Sequence, residues 1–461
     1  MRKCMAISLL IAVCIMARMT YGVSEENADF LTPEQMKENL EFIKNKIFDI
    51  HPDFSANISL NKYTAIYKNI YSNIDSPLSH SEFFFLANQI ITPLHSAHTE
   101  LSYKYDTKIL PLAMVWLPDG LGIVRSHKDF PNLNHSRVLA IENIPVEKWL
   151  EYMSTFVSHE NMEFVRMQAS RLITYKYVIG HFTNNPEITH VKLTVEKNGH
   201  VFSASVPFLP FQDHPNYDSQ GPQRGYPLLV YAFGEPVPKE FISTKFIDEL
   251  SAGYIELVQC YSDEKFLKRI DDFMREVTKR GYGNLIIDVR KNPGGHTQLT
   301  DVILNHMPGD GFKCFSGYQG FAHALSKYDK NPYGKAKESC IWMKSTDAQK
   351  IEPFRGKVYV LISNFTFSSS NYLGAIFQDN GLATLVGQRS GNKPCSFGAQ
   401  DSFDLPNGKL SVGVPHYYFI RPSGDCDTDA LIPDVEVPLT LDDVFAGHDP
   451  IMEWVYKNIS H

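Results

Sequence analysis

Three consecutive serines, Ser368-Ser369-Ser370, follow the apolar run Val358-Tyr359-Val360-Leu361-Ile362 and open a segment whose apolar positions Leu373, Ile376 and Phe377 fall on one helical face. A serine at a helix start meets unpaired backbone N–H groups and the positive end of the helix dipole, both of which favour a developing oxyanion. Ser368 is therefore a candidate nucleophile, and the N–H of Ser369 a candidate oxyanion donor. Read alone, the cluster is accounted for by helix capping, where serine is a preferred residue. A second candidate is Pro293-Gly294-Gly295, which follows the run Leu285-Ile286-Ile287-Asp288-Val289. Ligand sites of α/β sheets lie at such strand ends, and Gly294 or Gly295 lets a backbone N–H approach a substrate closely.

An activated serine needs a base. Among 17 histidines, His98 stands on a connection, Leu94-His95-Ser96-Ala97-His98-Thr99, rather than on an apolar helix face. Lys393, in Ser390-Gly391-Asn392-Lys393-Pro394, is the alternative base, able to act if desolvation lowers its pKa. Asp427 and Asp429 lie in an acidic loop, Gly424-Asp425-Cys426-Asp427-Thr428-Asp429, that offers a carboxylate to orient a histidine. The loop does not fit a calcium-binding EF-hand, and the chain has neither a Cys-x-x-Cys pair nor a His-x-x-x-His. No metal or organic cofactor is expected.

These residues need elements to hold them. Thr32-Pro33-Glu34-Gln35 is a capping box that starts a helix, ended by His51-Pro52. A second helical pattern carries Tyr63, Ile66, Tyr67 and Ile70, and a third starts at Ser79 with Glu82 and runs to Ile91. Residues 23–105 thus read as a helical domain carrying His98. Residues 106–210 read as a mixed domain, with strands near 120–124, 137–141 and 191–195, a hairpin at Asn198-Gly199, and a helical insert over about 161–180. Residues 211–461 carry the alternation of a parallel α/β fold: strands at about 254–259, 285–289, 358–362 and 383–386, with helices between them.

The chain has 461 residues, 43% of them hydrophobic and 21% charged, with a net charge of −8 and no Lys/Arg run, so nucleic acid is not an expected partner. Arg2 and Lys3 precede an apolar stretch from Met5 to Ala17, followed by small residues up to Gly22. Residues 1–22 read as a secretory signal, too short in apolar length for the roughly 20 residues of a membrane span. The expected location is secreted, periplasmic or at the cell surface, with no stable membrane span. Removal of the signal leaves Cys260, Cys314, Cys340, Cys395 and Cys426, an odd number, so at least one is unpaired.

Taken in order, these segments resemble the C-terminal processing (tail-specific) serine peptidases, including the tricorn-core branch. The resemblance rests on Leu285 to Gly295, on Val360 to Gly387 with Thr366-Phe367-Ser368-Ser369 and Gln378-Asp379-Asn380-Gly381, and on Ile432-Pro433-Asp434 with Val437. It implies a crotonase-like ββα catalytic domain in an α/β fold, a PDZ-like middle domain, a peptide or protein substrate and acyl-enzyme chemistry on Ser368. One branch of the family uses a lysine 25 residues after the serine, which Lys393 matches, with a glutamine four residues further on, where this chain has Phe397. The other uses an N-terminal histidine in a His-Thr motif, matched by His98-Thr99, and a late glutamate, where this chain has Asp427. The resemblance thus implies His98 as base oriented by Asp427, with a Ser368–Lys393 dyad or a non-catalytic peptide- or ligand-binding protein on the same fold as the alternatives.

Overall fold

The structure is a computed structural model that describes residues 30–103, 108–215, 240–319, 341–344 and 347–459. The expected signal over 1–22 and most of the connection after residue 210 lie outside these residues. The chain opens with helices α1 (Pro33–Ile50), α2 (Leu60–Ser72) and α3 (His80–Asn88). Both expected capping boxes form, Thr32 with Gln35 and Ser79 with Glu82, and each satisfies two N–H groups that a helix start leaves unpaired. α3 stops at Asn88, short of the expected Ile91. A 3-10 turn at Thr92–Leu94 and His95 in the left-handed region then redirect the chain toward His98.

Strand β1 (Glu100–Tyr103) follows, then β2 (Leu112–Leu117), β3 (Gly120–Ser126), β4 (Ser136–Ile141), helices α4 (Val146–Ser154), α5 (Met162–Leu172) and α6 (Lys176–Phe182), and the hairpin β5 (His190–Lys197) and β6 (His200–Pro207). The hairpin turns at Asn198-Gly199 as expected, both with positive φ. The middle strands form an antiparallel sheet in the order β6-β5-β4-β3-β2. The sequence reading missed α4. Trp149 and Met153 from α4 are completely buried, in one continuous core with Met36, Leu40 and Ile43 of α1 and Val191 and Leu193 of β5. The boundary expected near residue 105 is therefore not a gap in packing: the helical and middle regions share a single core.

The remaining chain builds a parallel sheet. β7 (Ile242–Ile247), β8 (Ala252–Leu257), β9 (Asn284–Asp288), β11 (Lys357–Ile362), β12 (Thr384–Gly387) and β15 (Val435–Glu436) stand side by side in that order, with only β7 antiparallel to its neighbour. Both faces are covered, which is why the strands read as unbroken apolar runs. Leu285 and Ile287 of β9 and Val358, Val360 and Ile362 of β11 pack on helices α7 (Glu264–Lys279), α8 (Gln298–Leu304) and α9 (Ser369–Asp379). Ile286, Tyr359 and Leu361 face the opposite side, against Ile451 and Val455 of the terminal helix α11 (Pro450–Ile459). Each such side chain contributes roughly 1.5–3 kcal/mol on burial.

A further antiparallel sheet joins the regions. β13 (Ser396–Asp404) and β14 (Leu410–Ile420) form a hairpin, β10 (Ser316–Gln319) pairs with one end of β14, and β1 pairs with the other, Gly413 opposite Glu100 and Val412 opposite Leu101. The sequence reading placed no strands here. This pairing carries the chain from the N-terminal region across to the parallel sheet, two residues beyond His98. The short helix α10 (Leu441–Ala446) lies on β3, where a Cβ at Gly122 would fall 2.6 Å from Leu441.

Candidate active site

β9 ends at Asp288, and the chain turns at once. Arg290 folds back so that its Nε lies 3.0 Å from Asp288 Oδ1, and a second guanidinium nitrogen reaches Asp449 Oδ1 at 2.7 Å. Tyr254 donates its hydroxyl to Asp288 at 2.8 Å. Burial alone would raise the Asp288 carboxyl, but the adjoining Arg290 charge holds it below its usual range. Lys291 pairs with Glu256 on β8 at 2.9 Å. Removing one member of such a buried pair costs about 3–5 kcal/mol, so the turn leaving β9 is firmly set.

The turn leaving β11 is sewn to it. Ser363 Oγ donates to Arg290 O at 2.5 Å, Thr366 Oγ1 to Val289 O at 3.0 Å, Ser370 Oγ to Asn292 O at 2.6 Å and Ser369 Oγ to Gly295 O at 2.6 Å. Phe367 N–H adds a bond to Asn292 O at 3.1 Å. Ser368 emerges from this lattice at φ 55°, ψ −121°, a region that side chains rarely occupy and that functional residues do. Its side chain makes no capping bond to α9, so capping does not explain it. Its N–H is held instead by Asn392 Oδ1 at 2.9 Å.

Both glycines are required. Gly294 (φ +107°) would place a Cβ 2.6 Å from the Cβ of Ser368, and Gly295 (φ +131°) would place one 2.0 Å from Cys260 O. They differ as donors. The N–H of Gly294 is already bonded to Asn292 Oδ1 at 2.8 Å, whereas among the described residues those of Gly295 and Ser369 have no partner. Cys260, the free cysteine among the described residues, lies behind this loop with Sγ 3.4 Å from Asn292 Nδ2. Burial pushes its thiol up to about 12.

His98 reaches the serine from the other side. Its Nε2 lies 3.2 Å from Ser368 Oγ, its ring stacks on Phe367 with centroids 4.7 Å apart, and it is 8% exposed. Three contacts set the backbone before it. Ser158 Oγ accepts from Ser96 N–H at 3.1 Å and donates to Ser96 O at 2.8 Å, and Glu160 Oε1 accepts from Ala97 N–H at 3.1 Å. Asn161 then caps α5 through Phe164 N–H and donates to Ser390 O and Asp429 O, tying this segment to the loops around the serine. Burial lowers the imidazole to about 4, against a smaller opposing pull from the main chain of Phe397, so His98 is neutral at neutral pH. The sequence reading missed Ser158, Glu160, Asn161 and Asn392. The Asn161-to-Phe164 spacing of an N-cap was the one legible signal among them.

Asp427 is not brought to His98. It is exposed, its N–H bonds to Asp425 Oδ1 at 3.1 Å, and His98 Nδ1 is buried with no hydrogen-bond partner among the described residues. Asp-for-Glu shortens the side chain, and a disulfide between Cys395 and Cys426 fixes the loop where it stands. Lys393 makes no hydrogen bond to Ser368; its charge acts on Glu160. Among the described residues no group of three His, Cys, Asp or Glu side chains could hold a metal ion, and no helix is long and apolar enough to cross a membrane.

Residues 251–437 match the sequence profile of peptidase family S41. A carboxyl-terminal-processing protease of Synechocystis sp. is 27% identical over 206 residues, 41% of this chain and 42% of that protein. One from Picosynechococcus sp. is 26% identical over 187 residues, 40% of this chain and 39% of that protein. The chain thus spans about two fifths of the length of these curated relatives. Among solved structures, mature CPAF superposes with a TM-score of 0.68 over 93% of this chain and 97% of that one at 15% identity, a likeness of fold. The matched segment holds the parallel strands β8 to β15, both stitched turns and Ser368, and over that segment the chain is similar to peptidase family S41 and to carboxyl-terminal-processing proteases.

Proposed function

We propose that the protein is an exported serine endopeptidase that cleaves peptide bonds through an acyl-enzyme on Ser368, with His98 as general base. The observation that carries this reading is the 3.2 Å approach of His98 Nε2 to Ser368 Oγ, made to a serine whose backbone is strained and faces a glycine loop. The neutral imidazole takes the hydroxyl proton as Oγ attacks the scissile carbonyl. The N–H groups of Gly295 and Ser369 receive the oxyanion, and Gly294 supplies the space. His98 then passes the proton to the leaving amine, and a water attacks the ester by the same route in reverse. The Phe397 main chain, rather than Asp427, is the group beside His98 that favours its cation. In this reading the parallel sheet is the crotonase-like catalytic unit and the middle sheet a PDZ-like module. Export is supported by the N-terminal signal pattern and by the Cys395–Cys426 disulfide, since such bonds persist in oxidising compartments.

A fluorophosphonate probe tests the reading. Wild type should label on Ser368, and Ser368→Ala should lose all labelling and all peptide cleavage. His98→Ala should slow labelling by roughly 10²–10⁴-fold, the range of a positioned base, while Lys393→Ala keeps most of the rate. An active Ser368→Ala variant would refute the nucleophile; the reverse result with His98 and Lys393 would make the pair a serine–lysine dyad.

A further inference from the structure

Glu160 stands between the two halves of the site and is assigned no part in the chemistry above. Its Oε1 accepts the N–H of Ala97, the residue before His98, at 3.1 Å. Its other neighbour is Asn392, whose Oδ1 accepts the N–H of Ser368 at 2.9 Å. With that oxygen committed, Asn392 presents its Nδ2 as a donor. This Nδ2 and Glu160 Oε2 are both buried, and neither has a hydrogen-bond partner among the described residues. A carboxylate accepts from an amide N–H; a carboxylic acid that turns its own proton to the same amide does not. One carboxyl therefore bonds the base-bearing turn directly and acts on the amide that holds the backbone of Ser368.

We infer that Glu160 is a positioning residue for the Ser368–His98 pair, acting in its ionised form: it fixes the turn of His98 through Ala97 and the backbone of Ser368 through Asn392. The inference rests on the proposed peptidase reading and names a residue that this reading does not need. The charged and titratable groups acting with Glu160 are Lys393, on the loop after β12, and Tyr418, on β14. Burial pushes the Glu160 carboxyl up to about 7, against the pull of Ala97 N–H, Lys393 and Asn392. The ionised form is therefore lost on acidification well before His98, at about 4, takes up a proton.

The test is the rate of fluorophosphonate labelling of the full chain between pH 5 and 9. Wild type should slow as pH falls through about 7. Glu160→Gln cannot ionise: its rate at pH 8 should be roughly ten-fold below wild type, with no inflection near 7, since His98 titrates at about 4, below the range measured. Lys393→Met removes the cation facing Glu160, so its inflection should move to higher pH. This second variant keeps the test decisive if Glu160→Gln does not fold, as judged by its thermal midpoint. An inflection near 7 that is unchanged in both variants overturns the inference and leaves the peptidase reading intact. Wild type that does not label at any pH overturns the peptidase reading instead. Loss of labelling at every pH in Lys393→Met, with Glu160→Gln unaffected, overturns both by making Lys393 the base.

Discussion

Ser368 and His98 meet at 3.2 Å but are held in opposite ways. The serine sits on one short turn after one strand, and its surroundings are the neighbouring strand's turn, joined by five hydrogen bonds between Ser363–Ser370 and Val289–Gly295. The histidine sits on a connection that no single element defines. The segment after α4 grips its backbone, β1 continues it into β14, and Phe367 supports its ring. In the proposed reading the nucleophile is thus built locally, on the framework of two parallel strands, while its base is a product of tertiary assembly. The two sides should respond differently to perturbation.

The largest effect is expected where the local framework has no slack. Gly294→Ala puts a Cβ 2.6 Å from that of Ser368 at a backbone φ of +107°. Labelling should fall by at least about 100-fold, the scale of losing an oxyanion donor, because the loop must retreat from the serine. Gly281→Ala, also at positive φ (+69°) but with open space around it, should cost only about 1 kcal/mol of stability and leave the labelling rate alone. Equal rates for the two variants would mean that the glycine loop does not shape the site.

On the assembled side the losses should be graded. Ser158→Ala removes both bonds to Ser96 and strands a buried N–H, a cost of about 1–3 kcal/mol. The rate of labelling should drop about ten-fold as the turn of His98 loosens. Ser154→Ala, which removes one exposed bond to Glu151 O, serves as the control and should change neither quantity. A Ser158→Ala variant with wild-type rate would mean that β1 alone fixes His98.

Acid should find the same divide. Burial lowers His51 to about 3 and both His98 and His214 to about 4; the first two lie in the helical region, and His214 packs on the middle sheet with Nε2 3.0 Å from Leu112 O. The unfolded chain takes up these protons below about 6.5, and the folded chain does not. Stability is therefore complete above that pH and is lost as pH falls from about 6.5 toward 4. Glu160 and Glu100, raised by burial, oppose the trend but are outnumbered by the three histidines. Hydrogen exchange at pH 7 and 5 should show α1–α6 losing protection before β8, β9 and β11. Loss from the parallel sheet first would contradict the ordering.

The same contrast decides what the sequence discloses. The parallel sheet is legible because strands covered on both faces leave continuous apolar runs, and because the turns after them need glycine or serine at fixed offsets. The capping boxes at Thr32 and Ser79 are legible for the same local reason. The β13–β14 hairpin is not, because Ser396–Asp404 is half polar: one end faces Phe397's neighbours in the core and the other is exposed. Helix α4 is missed because Val146, Trp149 and Met153 mark only one narrow buried stripe in a polar segment. Ser158, Glu160, Asn161 and Asn392 are ordinary loop polar residues by type. Only the packing of three regions onto one another gives them their roles.

The smallest expected effect concerns the residue that the sequence pointed to and the geometry does not. A carboxylate that orients a catalytic histidine must bond its Nδ1, and replacing such a group by an amide costs about 10⁴ in rate in the serine protease template. Asp427 is exposed, bonds through its backbone to Asp425, and sits on a loop held by the Cys395–Cys426 disulfide. His98 Nδ1 meanwhile is enclosed beside the main chain of Phe397. Asp427→Asn should therefore change the labelling rate by no more than about three-fold. The disulfide sharpens the test, because it limits how far the loop can travel toward His98. If Asp427→Asn does lose several orders of magnitude, the loop must close over the site during the reaction, and reducing the disulfide should then change the rate as well. If both leave the rate in place, no carboxylate orients His98, and that work falls to the stacking of its ring on Phe367 and to the grip of Ser158 and Glu160 on its turn.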